Sequence, residues 1–152
     1  MAVVISGFPG IGKSRFFKNN SSISVSDSDS SQFAKEDFPE NYIRHIVNLL
    51  DVKNIIMVSS HKIVREALEK VGIKYFLVYP DRSLKEEYLS RYRERGSGDF
   101  FVGFVSTNWG AWIDEMEQST YPTKIALQAG EFLSDIAPAI FATHLKVECG
   151  HE

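Results

Sequence analysis

The residues best equipped for chemistry lie near the start of the chain. Gly7-Phe8-Pro9-Gly10-Ile11-Gly12-Lys13-Ser14 fits the pattern G-x-x-x-x-G-K-[ST] at every fixed position. Glycines let such a loop curl until successive backbone N–H groups point inward and surround a phosphate. A helix starting near Lys13 would add its positive N-terminal end. Lys13 supplies a mobile positive charge for the β- and γ-phosphates, and the Ser14 hydroxyl is a magnesium ligand. Gly7, Pro9, Gly10, Ile11, Gly12 and Arg15 complete the expected nucleotide-binding set. The chemistry implied is binding of a nucleoside triphosphate with Mg²⁺; ATP is the leading candidate and GTP stays open.

Two further groups could act on what that loop holds. Asp27 and Asp29 form an alternating D-x-D, which on an extended segment points both carboxylates the same way. One could bind magnesium through water, for which Asp27 is the candidate. The other could accept the proton of an attacking hydroxyl, with Asp29 preferred narrowly over Asp27. Arg91 and Arg95 are four apart on one face of a polar helix, flanked by Arg93 and followed by Gly96-Ser97-Gly98. On a segment closing over phosphates they would neutralise charge on the transferring group. The competing readings are a solvated Ser/Asp loop and a solvated helix, since Asp81, Glu86, Glu87 and Glu94 nearly balance the nearby basic residues. His61 either meets the acceptor or, the favoured reading, caps the following helix. Trp109 and Trp112 read as packing residues, and Cys149 with His151 has too few partners for a metal site.

These residues need a scaffold that brings loops together. Apolar runs at 2–5, 23–26, 55–58, 75–79 and 124–127 read as strands. Helical spacing marks segments ending at Asn19-Asn20, over 42–50, 62–71 (closed by Gly72), 83–95, 107–118 and 131–136, with the tail after Pro138 unassigned. Strand–helix alternation with short connections predicts an α/β fold, a three-layer α/β/α sandwich around a parallel sheet of about five strands. In such sheets ligands sit at the carboxyl ends of the strands. Gly7 to Ser14, Asp27 with Asp29, and Ser59-Ser60-His61 all follow strands. We expect a single domain over 1–152 with a small lid around 82–105.

Bulk properties limit the partners. The 152 residues carry a net charge of −3, which argues against nucleic acid and anionic membrane as partners. One cysteine cannot form an internal disulfide, and no apolar run approaches a membrane span, so the expected compartment is the cytoplasm. The strand at 55–58 ends in Ser59-Ser60-His61 without a carboxylate, and no N-K-x-D pattern occurs. Both absences count against a GTPase switch or a mechanical ATPase.

With these residues in view, the chain resembles the nucleoside and nucleotide kinase-like group of P-loop phosphotransferases. Gly7 to Ser14 looks like the phosphate loop of nucleoside monophosphate kinases. Asp27-Ser28-Asp29 and Ser59-Ser60-His61-Lys62 look more like gluconate kinase and adenylyl-sulfate kinase, which phosphorylate a hydroxyl. Leu84-Lys85-Glu86-Glu87-Tyr88 to Gly96 is similar to the lid region of both, and the small size resembles phage-type nucleotide kinases. The Asp-x-Asp segment departs from the monophosphate kinase pattern. The resemblance implies a kinase using ATP, Mg²⁺ and a small-molecule acceptor. A nucleotide or nucleoside monophosphate is the first expectation for that acceptor. A hydroxyl on a nucleoside or sugar-like molecule is the alternative, and a regulatory protein that hydrolyses slowly is the second.

Overall fold

Apolar runs without polar alternation need cover on both faces, and a parallel sheet flanked by helices provides it. The computed structural model describes residues 1–19, 24–27 and 35–149. Strands β1 (Val3–Gly7), β2 (Val25–Asp27), β3 (Ile55–Ser59), β4 (Phe76–Pro80) and β5 (Thr123–Leu127) form one parallel sheet in the order β2-β3-β1-β4-β5. β1 and β4 are buried along their whole length, β3 is buried except at Ser59, and β5 is a largely exposed edge. Helices α1 (Lys13–Asn19), α2 (Glu40–Leu49), α3 (Lys62–Lys70), α4 (Lys85–Glu94), α5 (Asp99–Gln118) and α6 (Leu133–Cys149) connect and flank the strands.

The fold is therefore α/β with five parallel strands, as the alternation predicts. Right-handed crossovers in this strand order put α1 and α6 on one face and α2 to α5 on the other. The packing of α1 on α6, α2 on α3 and α4 on α5 agrees. The chain leaves β1 toward one face and β3 toward the other. A crevice consequently opens where their carboxyl ends stand level, with Gly7 paired to Ser59.

Two helices differ from expectation. α5 starts at Asp99 rather than near 107, because Val102 and Val105 extend the buried face of Trp109, Ile113 and Met116 by two turns. Gly103 and Gly110 weaken the local helical signal by about 1 kcal/mol each, and packing overrides them. α6 runs through Pro138 to Cys149 instead of ending at 136. An interior proline costs about 3 kcal/mol. Burial of Leu133, Ala137 and Ile140 on both sides of it holds the helix together. No helix among the described residues is long and apolar enough to cross a membrane.

Candidate functional site

A phosphate-binding loop works only if its carbonyls face away from the ligand, and each outward carbonyl then needs a donor. Here three consecutive ones have theirs. Pro9 O accepts from the Tyr92 hydroxyl at 2.7 Å, Gly10 O from Arg91 Nη1 at 2.8 Å, and Ile11 O from the Leu133 N–H at 2.8 Å. Two donors come from α4 and the third from the start of α6, so segments more than 80 residues away in sequence hold the loop's shape. Gly10 and Gly12 make the curl possible at φ +92° and +95°. At Gly10 the space is also closed: a Cβ would stand 2.9 Å from the Tyr92 ring and 3.2 Å from that of Tyr88. Phe8 is fully buried between α4 and α5, edge-on to Tyr88 and Trp109.

Lys13 opens α1, its ammonium donating to Gly7 O at 2.9 Å. Ser14 is exposed beside it. The helix start, the Lys13 ammonium and the Ser14 hydroxyl stand together at the end of this loop, a donor set that would suit a triphosphate, with Ser14 the residue that would hold its magnesium. Among the described residues no group of three or more His, Cys, Asp or Glu could hold a metal ion.

Next to Lys13 and Ser14 lies a cavity of about 640 Å³. Its floor is the P-loop and the end of β3, including Ser59, Ser60 and His61. Its roof is α5, through Phe101, Phe104, Trp112 and Met116. Arg65 of α3 lines it although only 2% exposed. The Arg65 guanidinium donates through Nε to Ser60 O at 2.8 Å and through Nη2 to the Glu115 carboxylate of α5. His61 opens α3 but its ring makes no capping hydrogen bond, contrary to the favoured expectation; the ring faces the cavity. Partial desolvation at the cavity edge, where the residue still keeps an exposed surface, then the charges of Lys13 and Arg65, push its pKa below the ordinary histidine value and favour the neutral ring.

The remaining expected residues divide. Asp27 ends β2 with its backbone level with Met57 of β3, at the carboxyl edge that bears the cavity. Its side chain, and Asp29 altogether, lie outside the described residues. Arg91 is enclosed rather than reaching outward. Besides Gly10 O it bonds Glu87 at 2.8 Å and lies over the rings of Tyr88 and Phe132 at 4.3 and 4.1 Å. Arg95 is exposed, bonds Ser97 at 2.9 Å and lies over the Tyr92 ring at 4.8 Å. Arg15 lies 5.6 Å from the Phe132 ring centre. Segment 82–105 comprises a short 3-10 turn at 82–84, α4 and the first turns of α5. α4 is bonded to the P-loop through Arg91 and Tyr92. Trp109 is core, and Trp112 is half-buried in the cavity wall.

No family model and no characterised protein matches this chain. The site itself must carry the functional reading.

Sequence reasoning passed over Arg65, Glu115, Tyr92 and Phe132. For Arg65 a signal existed: it sits between Val64 and Leu68 on the buried face of α3, where a charge requires a partner. Which residue that partner would be depends on α5 being brought beside α3, and no local pattern encodes that meeting.

Proposed function

We propose that this protein is an ATP- and Mg²⁺-dependent phosphotransferase, a kinase acting on a small-molecule acceptor. One observation carries the reading: a complete phosphate loop, its carbonyls bonded outward, opens onto a cavity large enough for a small molecule. Lys13 would neutralise the β- and γ-phosphates and the loop N–H groups would hold them. Magnesium, held by Ser14 and the nucleotide, would offset the charge that develops on the transferred group. Arg91 would act by fixing the loop, and Asp27 or Asp29 stays the candidate base on the acceptor side. The α5 roof would keep water from the phosphoryl group.

The test is ADP formation from Mg·ATP against a panel of nucleosides, nucleoside monophosphates and sugar acids, with Lys13→Ala as control. The reading requires acceptor-stimulated ADP formation that the Lys13→Ala protein lacks. Full activity in that variant would sink it. Steady hydrolysis with no acceptor effect would favour a regulatory nucleotide-binding protein instead.

A further inference from the structure

Resting on the nucleotide-binding half of that reading, we infer that Glu87 is a positioning residue for the phosphate loop. Its carboxylate aims Arg91 at Gly10 O and ties the turn after β5 to the same point, so that loop and turn hold one geometry for the phosphates.

Glu87 differs from the other acidic residues of α4. Glu86 and Glu94 are exposed, whereas Glu87 is half-buried, its Oε2 accepting from Arg91 Nη2 at 2.8 Å and from the Gly130 N–H at 3.4 Å. It precedes Arg91 by one helical turn, the favourable order for such a pair. A guanidinium is a rigid planar fork, so holding one nitrogen on Glu87 sets the direction of the other. Nη1 thereby meets Gly10 O at 2.8 Å, and the group lies over the rings of Tyr88 and Phe132.

The turn after β5 closes on itself. The Glu131 N–H donates to Gln128 O at 3.0 Å, and the Gln128 N–H to Glu131 Oε1 at 2.7 Å. That rigid turn leads straight onto the phosphate loop. The Leu133 N–H donates to Ile11 O at 2.8 Å, and the Phe132 ring would meet a Cβ on Gly12 at 3.2 Å. Glu87 bonds both sides of this contact, Arg91 on the loop side and Gly130 on the turn side.

Charge alone argues against a carboxylate here. A single guanidinium stands between it and Gly10 O. A negative charge so near opposes binding of a polyanion, and salt weakens that opposition. If the field were its whole effect, removing Glu87 should tighten Mg·ATP binding. If Glu87 sets the geometry of the loop, removing it should loosen binding. The two accounts differ in sign.

Isothermal titration with Mg·ATP reads that sign. Glu87→Ala should raise Kd roughly tenfold or more, as expected for losing hydrogen bonds between charged groups. Glu87→Gln keeps an acceptor for Arg91 and Gly130 and should recover most of that loss. Glu87→Asp keeps the charge but withdraws it by one methylene, so it too should weaken binding, where a field effect would leave Kd unchanged. In an Arg91→Ala background, Glu87→Ala should add little, because its route to the loop is gone. Tighter binding in Glu87→Ala and Glu87→Gln, with the gain shrinking as salt rises, would overturn the inference and leave the nucleotide reading standing. A lower melting temperature with Kd unchanged in all three variants would do the same, as would an undiminished effect of Glu87→Ala in the Arg91→Ala background. Absence of Mg·ATP binding by the wild-type chain, or binding that Lys13→Ala leaves unchanged, would instead remove the phosphotransferase reading, and this inference with it.

Discussion

The phosphate loop and the cavity beside it share Lys13 and Ser14 yet are built by opposite strategies. The loop is a contiguous segment whose N–H groups, two left-handed glycines and lysine are encoded within eight residues. Distant residues only brace it, through Tyr92, Arg91 and Leu133. The cavity is assembled from several separate stretches, of which Ser59-Ser60-His61-Lys62 is the longest. Its floor comes from the ends of β1 and β3, its side from α3, its roof from α5, and its central polar feature joins residues 50 positions apart. A backbone site tolerates side-chain change and demands special φ values. A side-chain site tolerates backbone drift and demands paired charges. The contrast predicts different kinds of damage.

The largest effect belongs to the loop. Lys13→Ala should reduce phosphoryl transfer by at least the 10²–10³-fold typical of losing one preorganised charge contact, with circular dichroism unchanged. A reduction below tenfold would mean that the loop is not the chemical centre. In the cavity the corresponding damage should appear as lost stability. Glu115→Ala leaves the Arg65 guanidinium buried without its carboxylate, a change that costs about 3–5 kcal/mol when a buried pair is broken. Because Glu115 keeps some contact with water, denaturant unfolding should place the loss at the lower end of that range.

Gly10→Ala combines both kinds of damage. It forces an alanine to φ +92° and drives a methyl group into Tyr92, so about 1–3 kcal/mol of stability should go together with ATP affinity. Isothermal titration and thermal melting would separate the two losses. If ATP binding survived intact, the bracing of the loop by α4 would be irrelevant to its function. A finer test uses two tyrosines on one face of α4. Tyr92→Phe removes the donor to Pro9 O and should cost about 1 kcal/mol. Tyr88→Phe removes a buried hydroxyl with no hydrogen-bond partner, so it should be neutral or slightly stabilising. Burial pushes that hydroxyl up to about 12, with Arg91 opposing, as expected of a phenol surrounded by rings.

The smallest effect is pH dependence at the cavity floor. His61 titrates below 6.5 in the folded chain and near 6.5 unfolded. The unfolded chain therefore binds more protons in that window, and stability should fall as pH drops below 6.5. His61→Gln should flatten the slope of melting temperature against pH between 7 and 5. An unchanged slope would place the ring outside the electrostatic reach of Lys13 and Arg65.

Much of this molecule was legible in its residues. Periodicity located the five parallel strands and most helices, because a buried parallel strand must be continuously apolar and an amphipathic helix must repeat its apolar positions. The curl of the Gly7 to Ser14 loop was legible, since its requirements are local: glycine at 10 and 12 where φ is positive and lysine where the helix begins. The limits of α5 and α6 were not, because Gly103, Gly110 and Pro138 oppose helix formation locally and yield only to burial of Val105, Trp109, Leu133 and Ile140. Arg91 was read as a residue reaching toward phosphates. Packing instead turned it between two rings and onto a loop carbonyl. The sequence by itself determined how the Gly7 to Ser14 loop curls, because backbone conformation there follows from the residues in place. Only the tertiary structure decided what lies beside that loop. Pairing Arg65 with Glu115 and placing Phe104 and His61 on one cavity require α3 and α5 to meet near the end of β3, and that meeting depends on the packing of the whole chain.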